Sequence, residues 1–376
     1  MKIGIITWYK DINYGTALQA LALQYYIKTF NHEAYLLDFD ASKCGRSLSK
    51  KNDVTFVNNL KIKFKGTIGN LIRIYIRILY KKNLDLRKSR FKSIIDEKSE
   101  FSEYINNDID FIKICNEFDL LIFGSDQIWT PNGFHKYWYG DFADIITKKI
   151  SYAPSIGVEA IPEDQLDDYK RVLDSFDRIS IREYSGKSLL QKLGYYSELV
   201  VDPTLLLDRV TWRKLLNTNE NIEQKYVLVY FLTDNLNYYR AITKYAKDKA
   251  LKIKVIPYQK YSYFLNADIC ADTGPREFFS LIDNSEIIFT DSYHGMLFSL
   301  ICNKQFLIFE RFSATDSMSQ NSRIYQIVNE YQLEGYLIKY NSQDSLIRES
   351  INYACINKVI QKNIEISKAY LAEEIH

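Results

Sequence analysis

The chain is poor in the residues that hold metals and disulfides. Its 376 residues include five cysteines, Cys44, Cys115, Cys270, Cys302 and Cys355, odd in number, far apart and never spaced as CxxC. That argues against a disulfide framework and against a zinc site. It suits a reducing cytosol, so a cytoplasmic location is expected. No stretch reaches ~18 uninterrupted apolar residues, so no membrane span is expected. The longest candidate, MLFSLICNKQFLIF, is broken by Asn303, Lys304 and Gln305. The apolar run in MKIGIITWYKD is too short for a signal peptide and has no small-residue cleavage site. Neither a GxGxxG fingerprint nor a Walker pattern occurs, so nothing supports dinucleotide or ATP binding. Fixed-period repeats and low-complexity tracts are missing as well. Histidine is scarce, with only His32, His135, His294 and His376.

What is present is ordinary in bulk and uneven in detail. The chain is 47% hydrophobic and 26% charged, near the average for soluble globular proteins. Its length predicts two or three domains and allows a sizeable core. Net charge is +2, which gives no general preference for polyanions. Residues 61–92, however, carry 11 Lys and Arg against one acid, Asp85, leaving 38 basic and 46 acidic residues elsewhere. The basic segment interleaves Leu71, Ile72, Ile74, Ile76, Ile78 and Leu79 with its charges. It reads either as a peripheral element docking on anionic membrane lipid or as a solvated connector packing on its own domain. No nucleic-acid-binding motif accompanies it, and no nucleic-acid partner is expected.

Strand and helix patterns alternate along the chain. KIGIIT, a polar turn, TALQALALQYYIK and EAYLLDFD form a β-loop-α-β opening of the kind that builds a parallel sheet. NLIRIYIRILYKK (70–82) has helical spacing, although its alternation also fits a strand. Strands are expected at 118–124, 149–154, 178–183 and 198–203, with a helix at 185–194 that Gly194 ends. VDPTLLLDRVTW looks like a hinge, after which KYVLVYFLT starts a fresh sheet. The expected organisation is α/β, with two doubly wound Rossmann-like domains. The first spans 1–203 with a basic insertion at about 41–100, and the second spans 204–345. A last helix within 346–376 could belong to either, and is assigned to pack back on the first.

In open α/β sheets, ligands sit at the carboxyl ends of strands, where helix N-termini point. The polar residues there are Asn13-Tyr14-Gly15-Thr16, Gly124-Ser125-Asp126-Gln127, Ser155 with Gly157, Arg182-Glu183, Asp202, Arg276 and Asp291-Ser292-Tyr293-His294-Gly295. Among the histidines, His294 is best placed for acid-base work, because it opens a predicted helix directly after a strand. The same turn would favour a bound anion. The bland alternative is a helix cap made by Asp291 or Ser292. The Asn13–Thr16 turn could let backbone amides approach a phosphate or a sugar, or be only a tight turn. Asp126 could be a general base, a hydroxyl anchor or a cap. Arg182 is either an anion clamp or the partner of a nearby acid. Arg276 stands in a first helical turn, where the dipole disfavours cations, so a binding role suits it better than most surface arginines.

In order along the chain, NYGTALQALAL, FGSDQIW, SYAPSIG, SIREYSGKSLLQKLG, VDPTLLL, GPREFFSLI, TDSYHGMLFSLICNKQF and NSRI resemble the polysaccharide pyruvyl transferase family. The basic segment 41–100 has no counterpart in that resemblance. The family is similar in fold to two-domain GT-B glycosyltransferases, with the active site in the cleft between the domains. The resemblance implies transfer of the enolpyruvyl unit of phosphoenolpyruvate to a sugar diol, giving a cyclic pyruvate ketal and phosphate in surface polysaccharide synthesis. It makes the second domain the donor domain and the first the acceptor domain. His294 becomes a catalytic residue, Arg182 a donor anchor, and Ser292, Tyr293 and Gly295 part of the donor site. Arg276 joins them by type and position. Asp126 and Asp291 are candidates to stabilise oxocarbenium character. Asn13, Tyr14, Gly15, Ser125 and Gln127 fall to the acceptor, a sugar or lipid-linked oligosaccharide. No cofactor is implied beyond phosphoenolpyruvate as donor substrate, and the scheme requires no metal. A nucleotide-sugar glycosyltransferase and a non-catalytic sugar-binding protein are the alternatives on the same scaffold.

Overall fold

A computed structural model describes residues 1–41, 67–131, 135–219, 225–312, 321–342 and 345–375. Cys44, His376 and the start of the basic segment at 61–66 lie outside the described residues. The chain divides into two compact units, one of Met1–Ile62, Ile95–Leu207 and Lys362–His376, the other of Lys63–Ile94 and Asp208–Gln361.

The first unit opens with β1 (Lys2–Ile6), α1 (Tyr14–Lys28) and β2 (Glu33–Phe39). Two helices follow, α2 (Thr67–Leu79) and α3 (Lys81–Lys98), whose residues up to Ile94 group with the second unit. The first unit resumes with β3 (Phe101–Ile105), α4 (Asp108–Cys115), β4 (Leu120–Phe123), α5 (Lys136–Tyr139), β5 (Lys148–Ser151) and α6 (Leu166–Leu173). Its sheet has the order β3-β2-β1-β4-β5 with every pairing parallel. A short parallel pair, β6 (Ser180–Ile181) and β7 (Glu198–Leu199), encloses α7 (Tyr184–Lys192). The VDPTLLL stretch is a tight helical turn at Pro203–Leu206, capped by the Asp202 side chain.

Helix α1 follows from its composition. Alanine and leucine dominate it, and both are strong helix formers. It is buried on nearly every face, so its two buried glutamines need partners. Gln19 Nε2 donates to Thr7 Oγ1 and to the Trp8 and Thr16 carbonyls, while its Oε1 accepts from Ser125 N. Gln24 donates to the Ala34 and Glu100 carbonyls and accepts from Glu100 N. These bonds tie α1 to the strand ends beside it. Aromatic rings fill the core nearby, with Trp129, Tyr139 and Phe176 packed edge and face.

The second unit runs α8 (Arg209–Leu216), β8 (Tyr226–Tyr230), α9 (Leu236–Asp248), β9 (Lys252–Val255), β10 (Asp268–Ile269), α10 (Pro275–Asp283), β11 (Ile287–Thr290), α11 (Tyr293–Ile301), β12 (Gln305–Phe309), α12 (Ser322–Glu330) and β13 (Leu337–Ile338). The strand order is β10-β9-β8-β11-β12-β13, again all parallel. Its central strands are near-continuous apolar runs, as expected for a sheet covered on both faces. Helix α3 joins this unit through Arg87, whose Nη1 donates to the Pro257 carbonyl at 3.1 Å, and through Arg90, which pairs with Asp272 at 2.8 Å.

The last helix, α13 (Tyr353–Ile375), ends on the first unit. Tyr370 Oη donates to the Ser151 carbonyl and Ser367 Oγ accepts from Val201 N, both at 2.8 Å. Arg178 pairs with Glu373 at 2.5 Å and lies 4.6 Å from the Tyr370 ring centre.

Candidate active site

In the first unit, the carboxyl ends of β1, β4, β5 and β6 carry a buried polar cluster. Asn13 caps α1, its Oδ1 accepting from Gly15 N at 3.0 Å and Thr16 N at 3.4 Å. That bond sets the turn holding Tyr14, Gly15 and Thr16. Thr16 Oγ1 donates to Asp126 Oδ2 at 2.6 Å, and Gln127 N donates to Asp126 Oδ1 at 2.9 Å. Asp126 adopts φ +63°, and Gly124 before it adopts φ +133°. At Gly124 only glycine fits, because a Cβ would stand 2.0 Å from the Tyr152 carbonyl oxygen. The polypeptide thus turns sharply after β4 and presents Ser125, Asp126 and Gln127 beside α1.

Arg182 crosses this cluster. Its Nη1 donates to Asp202 Oδ2 at 2.5 Å, and its Nη2 lies 3.9 Å from Asp126 Oδ1. All three side chains are buried: Arg182 is 3% exposed, Asp126 6% and Asp202 1%. Asp202 also accepts from Thr204 N and Thr204 Oγ1. Glu183 Oε1 accepts from Ile156 N at 2.8 Å and Gly157 N at 3.2 Å. Two carboxylates thus share one guanidinium, while Glu183 is held by backbone amides, so the buried charges are partnered.

In the second unit, β11 ends at Thr290 and α11 begins at Tyr293. Ser292 caps the helix, its Oγ accepting from Gly295 N at 3.3 Å. Thr290 Oγ1 accepts from Ser292 N at 3.0 Å and donates to the Tyr230 carbonyl at 2.8 Å. Gly295 is needed for close approach, since a Cβ there would stand 2.5 Å from Thr290 Oγ1. Asp291 turns inward. Its carboxylate accepts from Leu232 N at 2.6 Å, Thr233 N at 3.0 Å and Thr233 Oγ1 at 2.5 Å, fixing the loop after β8. Burial pushes the Asp291 carboxyl above its ordinary range, opposed in part by the Arg311 charge and these bonds. Tyr293 and His294 stay half-buried at the helix start, their rings edge to face at 5.2 Å.

The other described histidines are spent differently. His32 Nε2 bonds the Ile375 carbonyl at 2.6 Å, within the first unit. His135 caps α5, its Nδ1 accepting from Tyr137 N at 3.4 Å. Of the expected residues, Asn13, Tyr14, Gly15, Ser125, Asp126, Gln127 and Arg182 come together in the first unit. Asp291, Ser292, Tyr293, His294 and Gly295 come together in the second. Arg276 opens α10, which follows the edge strand β10, separated from β11 by β9 and β8 in the sheet order.

Sequence reasoning passed over the end of β12. Glu310 there is 3% exposed and accepts from Tyr325 Oη at 2.7 Å and Tyr340 N at 2.8 Å. Arg311 follows, close enough for its charge to act on Asp291. The available signal was position: QFLIFE ends the strand beside β11, and the cation comes directly after it. Among the described residues, no group of three or more His, Cys, Asp or Glu could hold a metal ion.

Comparison with solved structures matches the whole fold at low identity. A UDP-GlcNAc 2-epimerase from Methanocaldococcus jannaschii is 11% identical with a TM-score of 0.50, covering 96% of this chain and 92% of that one. Arabidopsis thaliana UGT89C1, solved with UDP-L-rhamnose, is 12% identical with a TM-score of 0.50, covering 100% and 98%. The fold is thus that of the GT-B glycosyltransferases and epimerases, with parallel sheets in two Rossmann-like lobes. Comparison with the sequences of curated proteins returns no match. The family model for polysaccharide pyruvyl transferase matches residues 13–311, from the cap of α1 to the cation after β12. The chain belongs to the polysaccharide pyruvyl transferase family.

Proposed function

We propose that the protein transfers the enolpyruvyl unit of phosphoenolpyruvate to a sugar diol, free or lipid-linked, closing a cyclic pyruvate ketal in surface polysaccharide synthesis. The observation that carries this reading is family membership over 13–311, a span that contains His294 at the N-terminus of α11. The bonds balance as follows. The donor's C–O bond to phosphorus-bearing oxygen breaks, and two C–O bonds to the sugar form. The donor methylene becomes a methyl by gaining one hydroxyl proton, and the second hydroxyl proton leaves with phosphate.

Each step needs a group of a given type. The donor carries a phosphate and a carboxylate, which suit helix N-terminal amides and cations. The Ser292–Gly295 turn supplies the amides, and Arg311 and Arg276 supply cations within the same unit. His294 moves the proton, since an imidazole can donate or accept near neutral pH. Asp291 acts as a positioning residue, because its oxygens already hold the loop after β8. In the first unit, Asp126 polarises an acceptor hydroxyl, with Asn13, Tyr14, Gly15, Ser125 and Gln127 lining the acceptor side. Arg182 serves through Asp126 and Asp202, to which it is paired. The free described cysteines fit a reducing compartment, where we place the reaction.

Incubation with phosphoenolpyruvate and an acceptor panel should release phosphate with formation of the ketal. His294→Ala should lose ~10²-fold or more in kcat if the imidazole supplies acid-base catalysis; full activity would remove His294 from the mechanism. Thermal stabilisation by UDP-sugars and none by phosphoenolpyruvate would instead indicate a glycosyltransferase. Acceptor binding without turnover on any donor would indicate a sugar-binding protein.

A further inference from the structure

Helix α2 carries apolar residues on two faces. Ile76 is buried against its own unit. Leu71, Ile74, Tyr75 and Ile78 recur at i, i+3, i+4 and i+7, so they share one stripe, and that stripe faces solvent. Ile78 is 72% exposed and Leu71 60%. Leu79 adjoins them, and the Tyr75 ring stacks at 6.3 Å on Phe264, itself exposed. A single exposed isoleucine is ordinary; a contiguous patch of this kind marks an interaction surface.

The charges along the segment are nearly all of one sign, with exposed Asp85, between Lys82 and Lys88, the one acid in residues 67–92. Residues 67–84 contain Arg73, Arg77, Lys81 and Lys82 and no acid. The segment's cations divide into two sets. Arg87 and Arg90 turn inward, to the Pro257 carbonyl and to Asp272. Arg77, Lys81, Lys82 and Lys88 are exposed and make no hydrogen bond or ion pair among the described residues. An apolar stripe with unpaired cations at its side and end is the pattern of a helix lying in a lipid interface.

We propose that the exposed face of α2, together with Lys81, Lys82 and Lys88, docks on an anionic lipid surface. The aliphatic stripe enters the boundary between headgroups and acyl chains. Tyr75 and Phe264 sit at the level where aromatic rings are favoured. The lysine stems lie along the apolar surface while their ammonium groups reach the lipid phosphates. A second copy fits less well, because a two-fold contact through this face would set Arg77, Lys81 and Lys82 against their own copies. Lysine is also depleted in protein–protein interfaces. Among the described residues no helix is long and apolar enough to cross a membrane, so the contact is peripheral. The proposal is independent of which donor the site takes.

The test is sedimentation of the full chain with vesicles of equal parts phosphatidylglycerol and phosphatidylcholine, beside vesicles of phosphatidylcholine alone. The protein should pellet with the anionic vesicles only. Each exposed lysine near an anionic surface is worth roughly five-fold in partition. The variant Lys81→Ser/Lys82→Ser/Lys88→Ser should therefore weaken binding roughly 100-fold, with a steep salt dependence in the parent. Ile78→Asp should weaken it at least as much. Ile109→Asp, at a residue 77% exposed on the first unit, should bind like the parent. All the substituted side chains are exposed, and unchanged melting temperatures would verify folding. Equal binding to both vesicle types, no binding to either, or binding unaffected by the α2 variants would overturn the proposal. So would a change from dimer to monomer on Ile78→Asp without vesicle binding, which would make the face a self-association surface.

Discussion

Asp291 offers the sharpest separation of chemistry from architecture. Replacing it by Ala strips acceptors from two backbone amides, Leu232 N and Thr233 N, and from the Thr233 hydroxyl. A buried donor left without a partner costs about 1–3 kcal/mol. The two amides are only partly buried, so the lower half of that range applies to each, and the hydroxyl can turn elsewhere. Removing a carboxylate whose charge burial disfavours returns a little. The net loss should be about 2–4 kcal/mol. Asp291→Asn keeps one acceptor oxygen and should lose about 1–2 kcal/mol. Because the chain has two units, a global unfolding midpoint would mix their transitions. Peptide-level hydrogen exchange over residues 226–235 reads the loop itself. Exchange there should accelerate by roughly 30-fold or more in the Ala variant, with Asn intermediate. If Asp291→Ala exchanged like the parent yet lost activity, the carboxylate would be acting on substrate and the positioning argument would be wrong.

Other consequences follow from the same bonds. Arg182→Met would leave Asp202 and Asp126 as uncompensated buried carboxylates and should cost about 3–5 kcal/mol, read as a fall in the first unit's denaturation midpoint; an unchanged midpoint would mean the ion pair is not formed in solution. Asp234 is raised from its ordinary 3.8 to about 6, by burial first, against the Tyr261 amide that it accepts from. The folded chain then holds that proton more tightly than the unfolded one, so its contribution to stability is complete below pH 3.8 and is lost as pH rises through about 6. Asp234→Asn should remove this loss and be more stable than the parent at pH 7 by about 1 kcal/mol, a value cut by solvent screening of the half-buried side chain; parallel stability profiles from pH 4 to 7 would refute it.

The sheet architecture was largely legible because its signals are local. The alternation of apolar runs with helical spacing marks α1 within two residues of its ends, starts α11 one residue late and runs the KYVLVYFLT strand three residues past β8. The stretch 70–82 was ambiguous for a physical reason. With Ile76 buried and Leu71, Ile74 and Ile78 exposed, both faces of α2 are apolar, and the sequence R-I-Y-I-R-I alternates like a strand. Strands β6, β7, β10 and β13 have two residues each, too few for any period to show. The site divides in the same way. Polar residues at strand ends could be named, but their partners could not. Thr16 and Asp126 are 110 residues apart, and Arg182 and Asp202 are 20 apart. Nothing in linear spacing joins such pairs, nor does it join Arg87 to the Pro257 carbonyl, which places α3 with the second unit.

Once those partners are known, electrostatics distinguishes the two units. The first unit's cluster holds Asp126 and Asp202 at Arg182, with buried Glu183 on the Ile156 and Gly157 amides, an excess of negative charge among these groups. Such a cluster repels a phosphate and a carboxylate together but suits a neutral sugar hydroxyl that must give up a proton. The second unit offers a helix N-terminus at Tyr293; of the acids at the neighbouring strand ends, Asp291 is buried and pushed toward the neutral form, and Glu310 is bonded to Tyr325, Tyr340 and Lys339. Arg311 adds a positive charge beside Asp291. On charge alone, the doubly anionic donor proposed above is better matched by the second unit. This matters for Arg182, which the family resemblance and its strand-end position offer as an anion anchor. Two acids already share its guanidinium, Asp202 at 2.5 Å and Asp126 at 3.9 Å, so its charge is matched within the cluster. In testing the proposed donor site, Arg311, whose charge acts on Asp291, is the residue to replace along with His294.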